Sequence, residues 1–211
     1  MPQARVVRFP IHTMMLLISA VLLCATLVAE TPRMQPITQK GQDHFSTQFA
    51  SGQRLKLDIR SGGVRIVGTD NNQISVHFEG RKASELDDVE VQFRPTGDGG
   101  TLKISGGPRN DFEIRIEVPR DTALHVRMPF GELDMQKIRG DKNVELHAGE
   151  INIDMGDPSD YSRIEASVLA GEVDSRAMGV SKGGLFRSFE KSGAGKYKLY
   201  AHVGSGQVNL N

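Results

Sequence analysis

From residue 44 onward, apolar and polar side chains alternate in short runs. Leu55–Ile59, Val64–Gly68, Gln73–Glu79, Val89–Phe93, Thr101–Ser105, Phe112–Val118 and Leu124–Met128 all follow this pattern. A period of two puts successive side chains on opposite faces, so these runs predict half-buried strands. Clusters of Gly, Pro, Asn and Asp separate them: Ser61–Gly63, Gly68–Asn72, Pro95–Gly100, Gly106–Asp111 and Pro119–Asp121. Such clusters are turn signals, and Pro95–Gly100 between two alternating runs predicts a hairpin. No stretch past residue 43 keeps a helical period. Ala83–Asp88 supports one helical turn at most.

A longer pattern lies over the alternation. Five segments share a glycine with an aliphatic residue three before it and another two after it. They centre on Gly62, Gly131, Gly149, Gly171 and Gly206, for example Leu146-His-Ala-Gly149-Glu-Ile151. A small or apolar residue also stands five before each glycine: Leu57, Val126, Val144, Ala166 and Ala201. Strict alternation would place the −3 and +2 residues on opposite faces. A bulge or corner at the glycine returns both to the interior, and glycine tolerates the backbone angles this needs. The glycines are 69, 18, 22 and 35 residues apart in turn. The two middle steps suit one solenoid coil each. The first gap then holds a strand meander over 69–118. The last holds a loop at 177–195 with a short strand at Leu185–Phe189.

The N-terminus reads as an address. Arg5 and Arg8 precede the apolar run Met14–Ala29, which is shorter than a comfortable bilayer span. Residues 1–29 are therefore assigned as a signal peptide cut after Ala29, with an uncleaved anchor as the alternative, because Leu27 suits the cleavage pattern poorly. Export places the protein in the periplasm, on the outer cell surface or in the medium. Cys24 is the one cysteine and lies inside this run, so the mature chain has no disulfide. Residues 30–43, with two prolines and no periodicity, read as a disordered spacer.

Composition agrees with many short strands. Gly accounts for 23 of 211 residues, Trp is absent and hydrophobic residues make up 38%. Lys+Arg and Asp+Glu are 26 each, and the balance past residue 29 is slightly acidic. No basic footprint for nucleic acid is present.

These residues resemble the bacterial exported "putative adhesin" domain family. The resemblance rests on Phe45–Phe49, Gly52–Ile59, Gly62–Gly68, Ile116–Pro119, Ile138–Asp141 and the Gly-Glu-Leu-Asp, Gly-Glu-Ile-Asn and Gly-Glu-Val-Asp units. It covers about residues 45–211. It implies a right-handed β-solenoid-like or stacked-sheet domain, envelope-associated, a domain of unknown function without known catalytic residues.

Candidate chemistry is sparse. The residue after the repeat glycines 131, 149, 171 and 206 is Glu132, Glu150, Glu172 and Gln207, and two further on come Asp134, Asn152, Asp174 and Asn209. Units stacked in chain order would set Glu132, Glu150 and Glu172 in one column about 4.8 Å apart, beside Asp134 and Asp174. A divalent cation such as Ca²⁺ would relieve their repulsion; the plainer reading is a solvated polar face with no metal and no cofactor. His125, His147 and His202 fall in different columns relative to the repeat glycine, and with His44 and His77 they read as surface or rim residues. No nucleophile elbow or zinc-protease motif occurs. Gly193-Ala-Gly-Lys196 lacks the first glycine and the hydroxyl residue of a phosphate loop. The aromatics Phe186, Phe189, Tyr197 and Tyr200 read as a cap over the open end of a stack.

The expectation is an all-β chain: a meander over 44–120 leading into an irregular right-handed solenoid-like stack of glycine-cornered repeats over 121–211. The alternative is a two-sheet β-sandwich. The function expected is that of an exported, non-catalytic envelope or surface protein whose repetitive β-face binds or scaffolds an envelope protein or glycan. The alternative is a carbohydrate-active β-helix enzyme, a lyase or glycosidase. Self-association through edge strands is a third reading, and membrane contact would arise only through an uncleaved signal.

Overall fold

The structure is a computed structural model and describes residues 35–79, 83–108 and 112–211. The expected signal segment with its expected cleavage site, and Cys24, lie outside the described residues. From Met34 to Asn211 the chain clusters as one compact unit.

The early strands are β1 (Ile37–Lys40), β2 (His44–Gln48), β3 (Arg54–Ile59), β4 (Ser61–Thr69) and β5 (Gln73–Glu79). Next come β6 (Glu90–Thr96), β7 (Gly99–Ser105) and β8 (Glu113–Pro119). Five long strands follow: β9 (Ala123–Gln136), β10 (Lys142–Ile153), β11 (Tyr161–Ser175), β12 (Val180–Ser192) and β13 (Tyr197–Leu210). Three single turns of 3₁₀ helix, at Ala83–Glu85, Pro158–Asp160 and Arg176–Met178, complete the described elements.

All thirteen strands belong to one mixed sheet that does not close. Two separate hydrogen-bonded sheets, the alternative drawn from the sequence, are not formed. The sheet instead bends along a line of glycines. β3 pairs with the first half of β9, and β4 with the second half, both in parallel. β10, β13 and β11 then add in parallel, each bent at the same level. Gly62, Gly131, Gly149, Gly206 and Gly171 are direct register partners across these strands. Their φ angles lie between +129° and +141°, a region that L side chains rarely enter.

The register accounts for the core. Leu57, Val126, Val144, Ala201 and Ala166 form one buried row. Beyond the bend, Val64, Leu133, Ile151, Val208 and Val173 form another. Met128 and Leu133, three before and two after Gly131, are both buried, as are Leu146 and Ile151 around Gly149. The bend thus shifts the phase of alternation, and both arms of the sheet contribute to a single apolar core. Each fully buried aliphatic there is worth roughly 1.5–3 kcal/mol relative to exposure.

Several features differ from the sequence expectations. The 69–118 excursion is not a separate meander ahead of a stack. β5 and β8 extend the arm that contains β4, while β6 and β7 extend the arm that contains β3. Residues 30–43 are not wholly a spacer, because Ile37–Lys40 adds to the free edge of β6. Ser61–Gly63 is strand rather than turn. Residues 177–195 hold the 13-residue β12, which runs antiparallel beside β11 over most of its length. Because β12 takes the outer side of β11, β13 enters on the inner side, between β10 and β11. The fifth glycine unit therefore sits between the third and the fourth. Uniform stacking in chain order is not what the sheet shows.

Candidate functional site

The outward face just past the bend is the one the sequence marks for chemistry. On it, Glu132, Glu150, Gln207 and Glu172 are successive register partners. Asp134, Asn152, Asn209 and Asp174 form the next row. The insertion of β13 changes the electrostatics of both rows. Three adjacent glutamates do not occur, since Gln207 separates Glu150 from Glu172. In the second row two amides separate Asp134 from Asp174.

Those amides act as donors and acceptors in a ladder. Asn209 Nδ2 donates to Glu150 Oε1 and to Asn152 Oδ1, each at 2.7 Å, and Asn209 Oδ1 accepts from Gln207 Nε2 at 2.7 Å. At the ends, Arg65 Nε lies 3.5 Å from Asp134 Oδ2, and Ser181 Oγ donates to Glu172 Oε1 at 2.8 Å. Of the five acids in the expected Ca²⁺ column, Glu132, Glu150, Glu172, Asp134 and Asp174, three thus have protein side chains as partners: Glu150, Glu172 and Asp134. No group of three or more His, Cys, Asp or Glu among the described residues is arranged to hold a metal ion. A shallow trough of about 600 Å³ runs beside this row, floored by Gly131, Gly149, Gly206 and Gly171.

On the other arm, signs of charge alternate along the register. Lys103, Asp58, Arg127 and Glu145 are successive partners across β7, β3, β9 and β10. Arg127 Nε pairs with Glu145 Oε2 at 3.2 Å, and Lys56 Nζ with Asp58 Oδ2 at 3.2 Å. Beside this row a cleft of about 430 Å³ is lined by Ile59, Ile104, Met128 and Pro129 together with Arg127 and Glu145. His125 has its pKa held below the ordinary imidazole value, first by burial and then by the Arg127 charge. His147 is exposed at the same cleft, and His202 Nδ1 lies 2.9 Å from Ser167 Oγ. These three histidines do not converge.

Two groups escaped the sequence reading. Lys142 is 1% exposed, and its Nζ donates to Tyr161 Oη at 2.6 Å and to the Gly140 carbonyl at 3.3 Å. Tyr161 Oη donates in turn to the Met155 carbonyl at 3.0 Å. Burial lowers the Lys142 pKa to about 8, against the opposing pull of Asp154, Asp141 and Asp160. Burial, reinforced by Asp160 and Asp154, raises the Tyr161 phenol well above its usual range. A lysine between alternating apolar positions carries the signal only weakly, because Lys142 occupies an inward position at the start of β10. The second group is His44 and His77, 33 residues apart in the chain but direct partners on β2 and β5.

The aromatic cap is only half formed. Phe189 and Tyr197 pack against the core, whereas Phe186 is 78% exposed at φ +52° on the edge strand. Arg187 Nε bonds the Gly183 carbonyl at 2.9 Å and Lys182 Nζ the Ser188 carbonyl at 3.1 Å. Two carbonyls of β12 are thereby occupied by its own basic side chains.

No helix among the described residues is long and apolar enough to cross a membrane. No protein-family model matches the sequence, and no curated protein matches it. Solved structures do resemble it. A "putative cell adhesion protein" from Clostridium sporogenes shares 15% identity at a TM-score of 0.50, over 83% of this chain and 99% of that one. A "putative adhesin" from Bacteroides fragilis shares 9% identity at a TM-score of 0.34, over 85% of this chain and 99% of that one. At 15% identity the first likeness establishes a shared fold and nothing more; the second is too distant in shape to add to it.

Proposed function

We propose that this protein is an exported, non-catalytic, adhesin-like component of the cell envelope or surface, and that it binds its partner through the outward rows of the bent sheet. The observation that carries the reading is the in-register parallel ladder of β9, β10, β13 and β11. It repeats the same outward position at strand spacing over a broad face, as a solenoid-like stack does, and offers area rather than enclosure. Fold analogy with the Clostridium adhesion protein supports the reading and does no more.

The distribution of charge favours binding over catalysis. Several acids and bases of the exposed face are engaged with immediate neighbours, as in Arg127–Glu145 and Arg65–Asp134. The most strongly perturbed groups, Lys142 and Tyr161, are buried against each other. An active site would present its perturbed groups to a cleft, whereas Lys142 is 1% exposed and does not line the cleft that Tyr161 borders. Export rests on the basic-then-apolar layout of residues 1–29. End-to-end growth through β12 is not part of the reading, because Lys182 and Arg187 guard that edge.

The test has two arms. Expressed in a bacterium, the full chain should leave the cytoplasm, and a chain lacking residues 1–29 should stay there. The exported protein should bind isolated envelope, and Arg127→Glu should weaken that binding several-fold. Retention of the full chain in the cytoplasm, or turnover of an envelope polysaccharide by the purified protein, would overturn the proposal.

A further inference from the structure

β2 and β5 run antiparallel, with His44 opposite His77 and Phe45 opposite Val76. The Phe78 amide donates to the Asp43 carbonyl at 3.1 Å, and the Phe49 amide to the Asn72 carbonyl at 3.1 Å. Both bonds join residues that are opposite in the same register, at odd positions of β2 and its flanks. Bonded and non-bonded pairs alternate along an antiparallel ladder, so His44 and His77 form a non-hydrogen-bonded pair. In such pairs the side chains approach most closely. The imidazole centroids are 4.3 Å apart with planes 30° apart.

The surroundings leave these rings available. Both residues are exposed. Among the described residues β2 pairs with β5 alone, and the Gln39 side-chain amide donates to the His44 carbonyl, leaving the His44 ring unbonded. On the far side of His77, its register partner Arg115 is held by Glu117 at 3.0 Å. Neither ring nitrogen system is hydrogen-bonded to a protein group among the described residues. The backbone beneath the pair is fixed on both sides, since β5 is also paired with β8.

We propose that His44 and His77 chelate one divalent transition-metal ion, with water filling its remaining coordination positions. Two neutral imidazoles are borderline ligands that suit Cu²⁺, Ni²⁺ and Zn²⁺, and affinity among these peaks at Cu²⁺. Ca²⁺ and Mg²⁺ require oxygen donors and are excluded. Both ligands come from one paired ladder, so little backbone ordering is lost on binding. Two protein ligands, against the three or four of permanent zinc sites, make the ion exchangeable. The exposed face of β2 and β5 is therefore a metal-responsive patch, distinct from the outward rows of β9–β13.

Calorimetric titration of the purified full chain with Cu²⁺, Zn²⁺ and Ca²⁺ tests the site. Cu²⁺ should bind at one high-affinity equivalent, Zn²⁺ more weakly and Ca²⁺ not at all. His44→Gln and His77→Gln should each weaken Cu²⁺ at least tenfold, while His147→Gln leaves it unchanged. Melting temperature gives a second readout: Cu²⁺ should raise it in the wild type and much less in either variant. His44 lies on an exposed edge strand, so His44→Gln supplies the comparison even if His77→Gln folds poorly. Equal Cu²⁺ affinity in the wild type and in His44→Gln would overturn the site, as would the absence of binding at micromolar Cu²⁺.

Discussion

Lys142 Nζ sits 2.6 Å from Tyr161 Oη, inside the end of the sheet where β10 and β11 begin. The ammonium has exchanged water for one phenol, one carbonyl and the Tyr161 ring face, 4.9 Å from its centroid. Its folded pKa falls to about 8 from 10.5. The unfolded chain therefore holds this proton more tightly than the folded one. Stability contributed by this group is lowest below pH 8 and rises as pH climbs toward 10.5. The Tyr161 shift has the opposite consequence, since the unfolded phenol ionises first, but that begins only near pH 10. Between pH 7 and 9.5 the wild type should gain roughly 2 kcal/mol relative to Lys142→Met. Urea denaturation of both proteins at the two pH values measures this; parallel pH profiles would contradict it.

Asn209 joins β13 to β10 through bonds to Glu150 and Asn152. Asn209→Asp removes both donors and sets a carboxylate against the one they served. The variant should lose about 1–3 kcal/mol at pH 7. The new carboxyl would titrate at a higher pH in the folded chain than in the unfolded one. The deficit should therefore shrink as pH falls toward 4, as acid neutralises the pair. A constant deficit from pH 7 to 4 would show that repulsion is not its cause.

Arg127 separates Asp58 from Glu145 in the alternating row. The pair with Glu145 is half exposed, so its own contribution is at most about 1 kcal/mol. Arg127→Glu goes further and lines up three acids. Its melting temperature should drop by a few degrees at low salt, with much of the loss recovered at roughly 0.5 M NaCl, where screening is short-ranged. Thermal melts in both buffers decide the point, and a loss independent of salt would argue for a packing effect.

Local patterns in the sequence already contain the strands. Alternation in Leu55–Ile59 or Phe112–Val118 is set by which face is buried, and the five glycine units carry the phase change at the bend. What local pattern does not encode is which strands become neighbours. β13 slots between β10 and β11 because β12 has already covered the far side of β11, a competition between segments distant in the chain. The same blindness hid the His44–His77 pair, whose members meet only through the β2–β5 register. It also turned an expected run of three glutamates into one broken by Gln207. β1 escaped notice because a four-residue strand on an edge has no buried side chain to reveal it.

The glycine column supports the whole bent sheet. A Cβ on Gly149 would overlap the Gly131 carbonyl oxygen, and one on Gly206 would overlap that of Gly149. Gly97 lies in a turn, has no positive φ, and a methyl group added there would meet nothing within 4 Å. Equilibrium unfolding of Gly149→Ala beside Gly97→Ala is the most direct measurement. Strain and overlap should cost Gly149→Ala more than about 3 kcal/mol or abolish folding, while Gly97→Ala stays within about 0.5 kcal/mol of the wild type. A Gly149→Ala protein as stable as the wild type would mean that the sheet does not bend through this column, and that the outward rows built on it do not exist as described.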